Sequence, residues 1–276
     1  MKLRVVELLI ITTVPALFLA AKGWPPIVPT IASLIGGTLA AGAANTFNMV
    51  IEADIDKKMS RTMNRPIASG KLTKNQATRF AILIMIASLL IFWFFTTPLA
   101  TLLTSLAILF YVSIYTVALK PNTKQNIVWG GIAGCLPVLI GWAAVTNSLA
   151  APAYWFFLVV FFWTPPHFWA LALYRRDDYV RSGLPMLPVT HGERFTLLNI
   201  LLYTLILIAA TLLPYIYGMS GMVYLVSAVI LGLIFLAYVI ALFISYSDAL
   251  AKKTFRFSIT YLSLLFAALL IDHYFL

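Results

Sequence analysis

Asn48, Glu52 and Asp56 stand four residues apart, and Arg61 and Arg65 repeat that step just beyond. On a helix the first three share one face, with about 6 Å between neighbours. An amide and two carboxylates at that spacing can converge on a hard cation such as magnesium, which takes oxygen ligands. The guanidinium groups of Arg61 and Arg65 match the two-pronged geometry of a phosphate. Oxygen ligands followed by arginines therefore read as a magnesium–diphosphate site. Asp54 falls off the shared face and reads as a solvent-facing group. A helix end dressed with solvated charges is the plainer alternative, and the aligned asparagine and the arginine pair argue against it.

Three other groups could take part. Arg175, Arg176, Asp177 and Asp178 follow Tyr174 in an unbroken run, with Arg181 close behind. They could supply metal ligands and diphosphate contacts across from the first cluster, or be an ordinary charge run at a membrane border. Lys120 and Lys124 follow Tyr111 and Tyr115, and a lysine can balance a phosphate charge while a tyrosine hydroxyl donates to it. His167 lies inside the apolar stretch Trp163-Thr164-Pro165-Pro166-His167-Phe168, eight residues before Arg175. In a helix that is about 12 Å below the charged rim. The two prolines predict a bend that frees carbonyls and opens space. An ionisable group within a membrane is costly, which favours a functional role for His167 over a merely satisfied core histidine. His191 and His273 lie in a loop and near a terminus and carry no such argument.

These clusters sit in a chain of 276 residues that is 62% hydrophobic and 10% charged. Long apolar runs recur at 5–21, 27–47, 80–97, 98–118, 127–147, 152–174, 197–215, 221–244 and 256–275. Each approaches the length needed to cross a bilayer. Every backbone polar group in lipid must be paired internally, so the expected fold is an all-α bundle of nine transmembrane helices. With the N-terminus in the cytoplasm, 18 of the 19 lysines and arginines, Lys2 and Arg4 among them, fall on the inner side, leaving Lys22 outside. That asymmetry sets the orientation. The formal charge of +10 is then a property of one membrane face and implies anionic lipid, with no nucleic acid. The first run is expected to stay as a span, because Ala20-Ala21-Lys22-Gly23 is a poor cleavage site. The single Cys135 excludes an intrachain disulfide.

The inner connections at 48–79 and 175–196 are long and polar, whereas the outer ones are short. Long loops on one side of a rigid bundle are where binding groups gather. Thr73 and Gln76 form a capping-box pattern that should restart a helix. Gly183-Leu184-Pro185-Met186-Leu187-Pro188 should stop one. No linker or convincing repeat divides the chain, so residues 1–276 are expected to form one domain.

The pattern Asn48-x-x-x-Glu52-x-x-x-Asp56 followed by Arg61-x-x-x-Arg65-Pro66 resembles the first acidic motif of the intramembrane prenyltransferases of the UbiA superfamily. The glutamate at its centre is similar to the haem-farnesylating branch. Further matches are Tyr115-Thr116-x-x-Leu119-Lys120, Gln125-Asn126-Ile127-Val128-x-Gly130-Gly131, Pro166-His167-Phe168 and Tyr174-Arg175-x-Asp177-Asp178-Tyr179. The resemblance implies a central cavity with magnesium and farnesyl diphosphate at its cytoplasmic mouth, and haem B as the acceptor that becomes haem O. It implies catalytic roles for Asn48, Glu52, Asp56 and His167, and diphosphate contacts from Arg61, Arg65, Lys120, Arg175 and Arg176. Metal ligands would be Asn48, Glu52 and Asp56, with Asp177 and Asp178 as a second set. The superfamily's second motif is usually D-x-x-x-D, and adjacent Asp177 and Asp178 depart from it, so one metal with arginine clamps is also open. A bacterial inner-membrane location is implied, with a haem-modifying enzyme or terminal oxidase as possible partner. Two other functions compete: prenyl transfer to an aromatic or quinone-precursor acceptor, and anion transport. The first has little need of Pro166-His167, and the second leaves the Asn48/Glu52/Asp56 ladder without a purpose.

Overall fold

The computed structural model describes the backbone of residues 3–274 and side chains from residue 9 onward. Lys2 and the side chain of Arg4, both used in the orientation argument, lie outside the described residues, as does residue 275 at the end of the last expected span. The helices run α1 (Leu3–Ala21), α2 (Ile27–Ile51), α3 (Ala53–Asp56), α4 (Lys74–Phe95) and α5 (Pro98–Leu109). A π-helical run, Phe110–Leu119, then leads into α6 (Lys120–Asn122), α7 (Asn126–Thr146) and α8 (Ala151–Tyr174). The chain continues through α9 (Arg176–Ser182), α10 (Leu187–Thr190), α11 (Gly192–Ile216), α12 (Met222–Ile244) and α13 (Asp248–His273). No strand occurs among the described residues.

Eight of these segments are long and apolar enough to cross a membrane: α2, α4, Pro98–Asn122, α7, α8, α11, α12 and α13. The chain is a multi-pass integral membrane protein. The described apolar part of α1, Leu9–Ala21, is shorter than the roughly 20 residues a bilayer requires. It packs against α7 and α13 as part of the bundle.

Helix ends follow local chemistry. The Thr73 hydroxyl accepts from the Gln76 amide at 3.2 Å and the Gln76 side chain accepts from the Thr73 amide at 3.0 Å. This is the capping box expected from the sequence, and it starts α4. Thr97 and Ser247 cap α5 and α13 through single side-chain oxygens. Gly183 ends α9 at φ +73°, a left-handed conformation that costs glycine nothing. Asp272, buried in α13, accepts from the amides of Gly221 and Tyr224 and so caps α12 from a neighbouring helix.

The centre of the bundle is α7 and α8, which pack on each other and on α1, α11 and α13. On the opposite flank α2 lies along α4, tied by the Ser88 hydroxyl donating to the Gly36 carbonyl at 2.7 Å. Pro165 and Pro166 sit buried inside α8, yet the helix continues through both. The two prolines from which a bend is expected thus lie within one continuous helix. Enclosure by neighbouring helices on both sides holds them there, although each proline removes one helical donor.

Candidate active site

The first cluster forms where α2 ends. Backbone bonds run from the Glu52 amide to the Asn48 carbonyl at 2.9 Å and from the Asp56 amide to the Glu52 carbonyl at 2.8 Å. The four-residue register thus survives although regular helix pauses at Glu52, where φ is −90° and ψ is 11°. All three side chains are buried. Glu52 receives the Lys120 ammonium at 2.6 Å, and one guanidinium nitrogen of Arg65 sits 2.7 Å from both carboxylate oxygens of Asp56. The Thr62 hydroxyl donates to the Asp56 carbonyl at 3.0 Å and folds the following turn back over the cluster.

Asn48 is turned differently. Its Nδ2 donates to the Thr116 hydroxyl at 3.2 Å, and that hydroxyl donates to the Tyr111 carbonyl at 2.8 Å. The amide ties α2 to the π-helical run and does not line the cavity described next. Asp54 is exposed, bonded to Lys57 at 2.9 Å and Lys74 at 3.2 Å. Those bonds, Lys57 foremost, hold its carboxyl below its usual value, and it lies outside the site as expected.

A cavity of about 640 Å³ opens from this cluster into the bundle. Glu52, Asp56, Arg61, Arg65, Lys120 and Arg175 surround its charged end, and His167 lines it farther along α8. Two carboxylates against four cations leave that end positive. Apolar and small side chains line the rest. Arg61 has no carboxylate partner among the described residues.

The π-helical run places the tyrosines. Its wider turns bond the Lys120 amide to the Tyr115 carbonyl, five residues back. Tyr111 and Tyr115 then lie side by side on the cavity wall, ring centroids 5.4 Å apart. Gly130 makes room for the second ring, since a Cβ there would fall 2.3 Å from it. The Tyr111 hydroxyl donates to Asn45 Oδ1 at 3.4 Å.

His167 is buried against three rings: Trp163 at 4.2 Å and Phe255 at 4.5 Å, both near parallel, and Phe168 at 4.8 Å, near perpendicular. Its Nδ1 lies 2.6 Å from the Ser258 hydroxyl.

The second charged run is not brought to the cavity as a unit. Arg175 lines it, but Arg176 and Asp177 are exposed, and Asp178 is buried off the lining, its carboxylate 4.0 Å from Arg175. Asp178 accepts from the Ser60 amide at 3.1 Å, from the Ser60 hydroxyl at 2.7 Å and from Arg181. Burial pushes its carboxyl up, but the two Ser60 bonds and then Arg181 outweigh that and hold it below the usual carboxylate range. This aspartate joins the two long polar connections. Lys124 also leaves the site, reaching His191 Nε2 at 2.7 Å.

Among the described residues no three histidines, cysteines or acids converge as a metal cage. Magnesium seldom needs one: it is commonly held by one or two carboxylates together with substrate phosphates and water. Glu52 and Asp56 on one cavity wall fit that mode, whereas Asp177 and Asp178 add no second set there. Asn45, Ser60 and Ser258 escaped the sequence reading, and Thr116 entered it only as part of the Tyr115-Thr116 match. Asn45 left a trace as an amide one turn before Asn48 within an alanine- and glycine-rich stretch.

The sequence profile of the UbiA prenyltransferase family matches residues 9–267. The protoheme IX farnesyltransferase of Polynucleobacter necessarius subsp. necessarius (strain STIR1) is 62% identical over 275 residues, covering 100% of this chain and 93% of that protein. The protoheme IX farnesyltransferase of Cupriavidus metallidurans is 52% identical over 274 residues, covering 99% and 90%. Among solved structures, one of digeranylgeranylglyceryl phosphate synthase superposes with a TM-score of 0.80 at 19% identity, covering 100% of this chain and 99% of that one. A UbiA homolog from Archaeoglobus fulgidus bound to GPP and Mg²⁺ gives 0.66 at 14% identity, covering 97% of each. The structural likeness establishes the fold alone.

Proposed function

Since this chain belongs to the UbiA prenyltransferase family, we propose that it transfers the farnesyl group of farnesyl diphosphate to a vinyl group of haem B, with water added, giving haem O. The observation that carries this reading is the pairing of Glu52 with Lys120 and of Asp56 with Arg65 at the positive end of an apolar cavity that also contains His167. Homologues at 62% and 52% identity over essentially the whole chain bear the name of that activity.

Arg61, Arg65, Lys120 and Arg175 receive the diphosphate, and their fixed positive charge meets the negative charge that grows as it departs. Glu52 and Asp56 would hold magnesium, with Asn48 bracing the helix end behind them. Bound there, the metal supplies Lewis-acid neutralisation of the diphosphate. The C1–O bond of the donor breaks with its electron pair going to diphosphate. The vinyl π pair of the haem forms the new C–C bond, and water adds to the resulting cation and releases one proton. Tyr111 and Tyr115 wall the path near the charged end and keep stray water from the allylic cation, and their ring faces stabilise positive charge. We place His167 against the haem, deeper than the diphosphate.

The same reading sets nine spans with the N-terminus and the cavity mouth on the cytoplasmic side of a bacterial inner membrane. The placement of 18 of 19 basic residues supports it. The test is to incubate membranes containing the protein with haem B, farnesyl diphosphate and magnesium, then weigh the extracted haems. A farnesylated, hydrated haem is expected. Unchanged haem alongside a prenylated aromatic, or no prenyl transfer at all, would overturn the assignment.

A further inference from the structure

Ser258 holds an arrangement around His167 that its own hydrogen bonds define. The Ser258 hydroxyl lies 2.7 Å from the Phe255 carbonyl, to which it can only donate, and a hydroxyl that gives its single proton there accepts from His167. With the serine proton on that carbonyl, Nδ1 of His167, 2.6 Å away, carries the ring proton; with the proton turned to Nδ1 instead, the ring proton sits on Nε2. In the first arrangement the other nitrogen of the neutral imidazole, Nε2, is a bare lone pair. Among the described residues the one hydrogen bond of His167 runs through Nδ1, and the residue lines the cavity. Ser258 is itself fixed: it is fully buried, and its carbonyl accepts from the Trp163 indole at 2.8 Å. Trp163 and Phe255 stack near-parallel on the imidazole and Phe168 packs at right angles to it, so aromatic contacts hold the ring plane.

A ligating histidine that passes its other N–H to an oxygen acceptor, and is thereby oriented, is the usual construction around a metal-binding imidazole. The alternative use of Nε2 is to take the proton from the added water. That would create an imidazolium wedged in apolar surroundings without a carboxylate partner, whereas ligation keeps the ring neutral. We propose that Ser258 is a positioning residue that fixes the tautomer and angle of His167 so that Nε2 serves as the axial ligand of the haem iron. This rests on haem being the acceptor, as read above.

The experiment is a titration of haem B into the purified full-length protein, followed by absorption and resonance Raman spectra, in wild type, Ser258→Ala, Ser258→Thr and His167→Ala. Farnesyl diphosphate affinity and thermal unfolding, measured alongside, report on folding. The wild type should show an iron–histidine signature that His167→Ala loses. Ser258→Ala should weaken haem affinity about tenfold or more and shift the iron–histidine stretch. Ser258→Thr, which keeps the hydroxyl, should retain both, and donor affinity should stay level throughout. A Ser258→Ala protein with wild-type haem affinity and spectrum would overturn the proposal, as would His167→Ala retaining the histidine signature. A wild type that binds no haem would instead remove the haem reading on which the proposal stands.

Discussion

Glu52 and Asp56 enter the cavity from the end of α2, each facing a cation that itself lines the cavity. Asp177 and Asp178 ride on α9, one exposed and one turned to Ser60 and Arg181. Both pairs are acids beside arginines on the long polar connections, and in composition they are alike. The first pair leaves charge facing a space a ligand can enter. The second spends its charge joining two loops. What separates them is rotation: backbone bonds carry the four-residue register from α2 through Glu52 into α3, so Glu52 and Asp56 stay on one face, whereas adjacent residues on α9 must point apart.

That contrast can be broken most severely at the first pair. Glu52→Gln and Asp56→Asn keep shape and remove charge, and each should lower turnover about a hundredfold or more, the scale of losing one transition-state electrostatic contact. Each also strands a cation that had a buried partner, a change that can destabilise by roughly 3–5 kcal/mol. Thermal unfolding must therefore accompany the rates, and a folded, inactive protein is the expected result. His167→Ala should come next, slowing transfer to haem while leaving magnesium-dependent farnesyl diphosphate binding within about twofold. Loss of both together would mark a folding residue.

Arg61→Lys and Arg65→Lys keep the charge and lose the planar fork. Each should raise KM for farnesyl diphosphate about tenfold, with KM for haem unchanged; unaltered donor KM in both would return them to the general positive face. The smallest effect on chemistry belongs to the second pair. Asp178→Asn should leave turnover within a few-fold of wild type and cost about 1–3 kcal/mol of stability, the range for hydrogen bonds to a charged group. Thermal unfolding beside steady-state rates separates the two quantities.

Much of this was legible in the sequence, and the reasons differ by residue. The spacing of Glu52 and Asp56 foretold their shared face on the cavity wall because backbone bonds carry the register across the pause at Glu52. Thr73 and Gln76 announced the start of α4 because a capping box is a local contract between near neighbours. The turning of Asn48 to Thr116 was not legible, since it depends on the π-helical run, whose shifted bonding leaves no period in the sequence. Nor was the role of Asp178, which is set by a serine 118 positions away. Ser258 was silent for the same reason: its partner His167 is 91 positions distant.

The central claim is that the first acid pair, and not the second, makes the donor site. Equilibrium binding of farnesyl diphosphate across a magnesium titration tests it most directly, in wild type, the Glu52→Gln/Asp56→Asn double variant and Asp178→Asn. Wild type and Asp178→Asn should bind more tightly as magnesium rises, while the double variant, still folded, should show no magnesium dependence. A double variant that keeps the dependence, or an Asp178→Asn protein that loses it, would contradict the account.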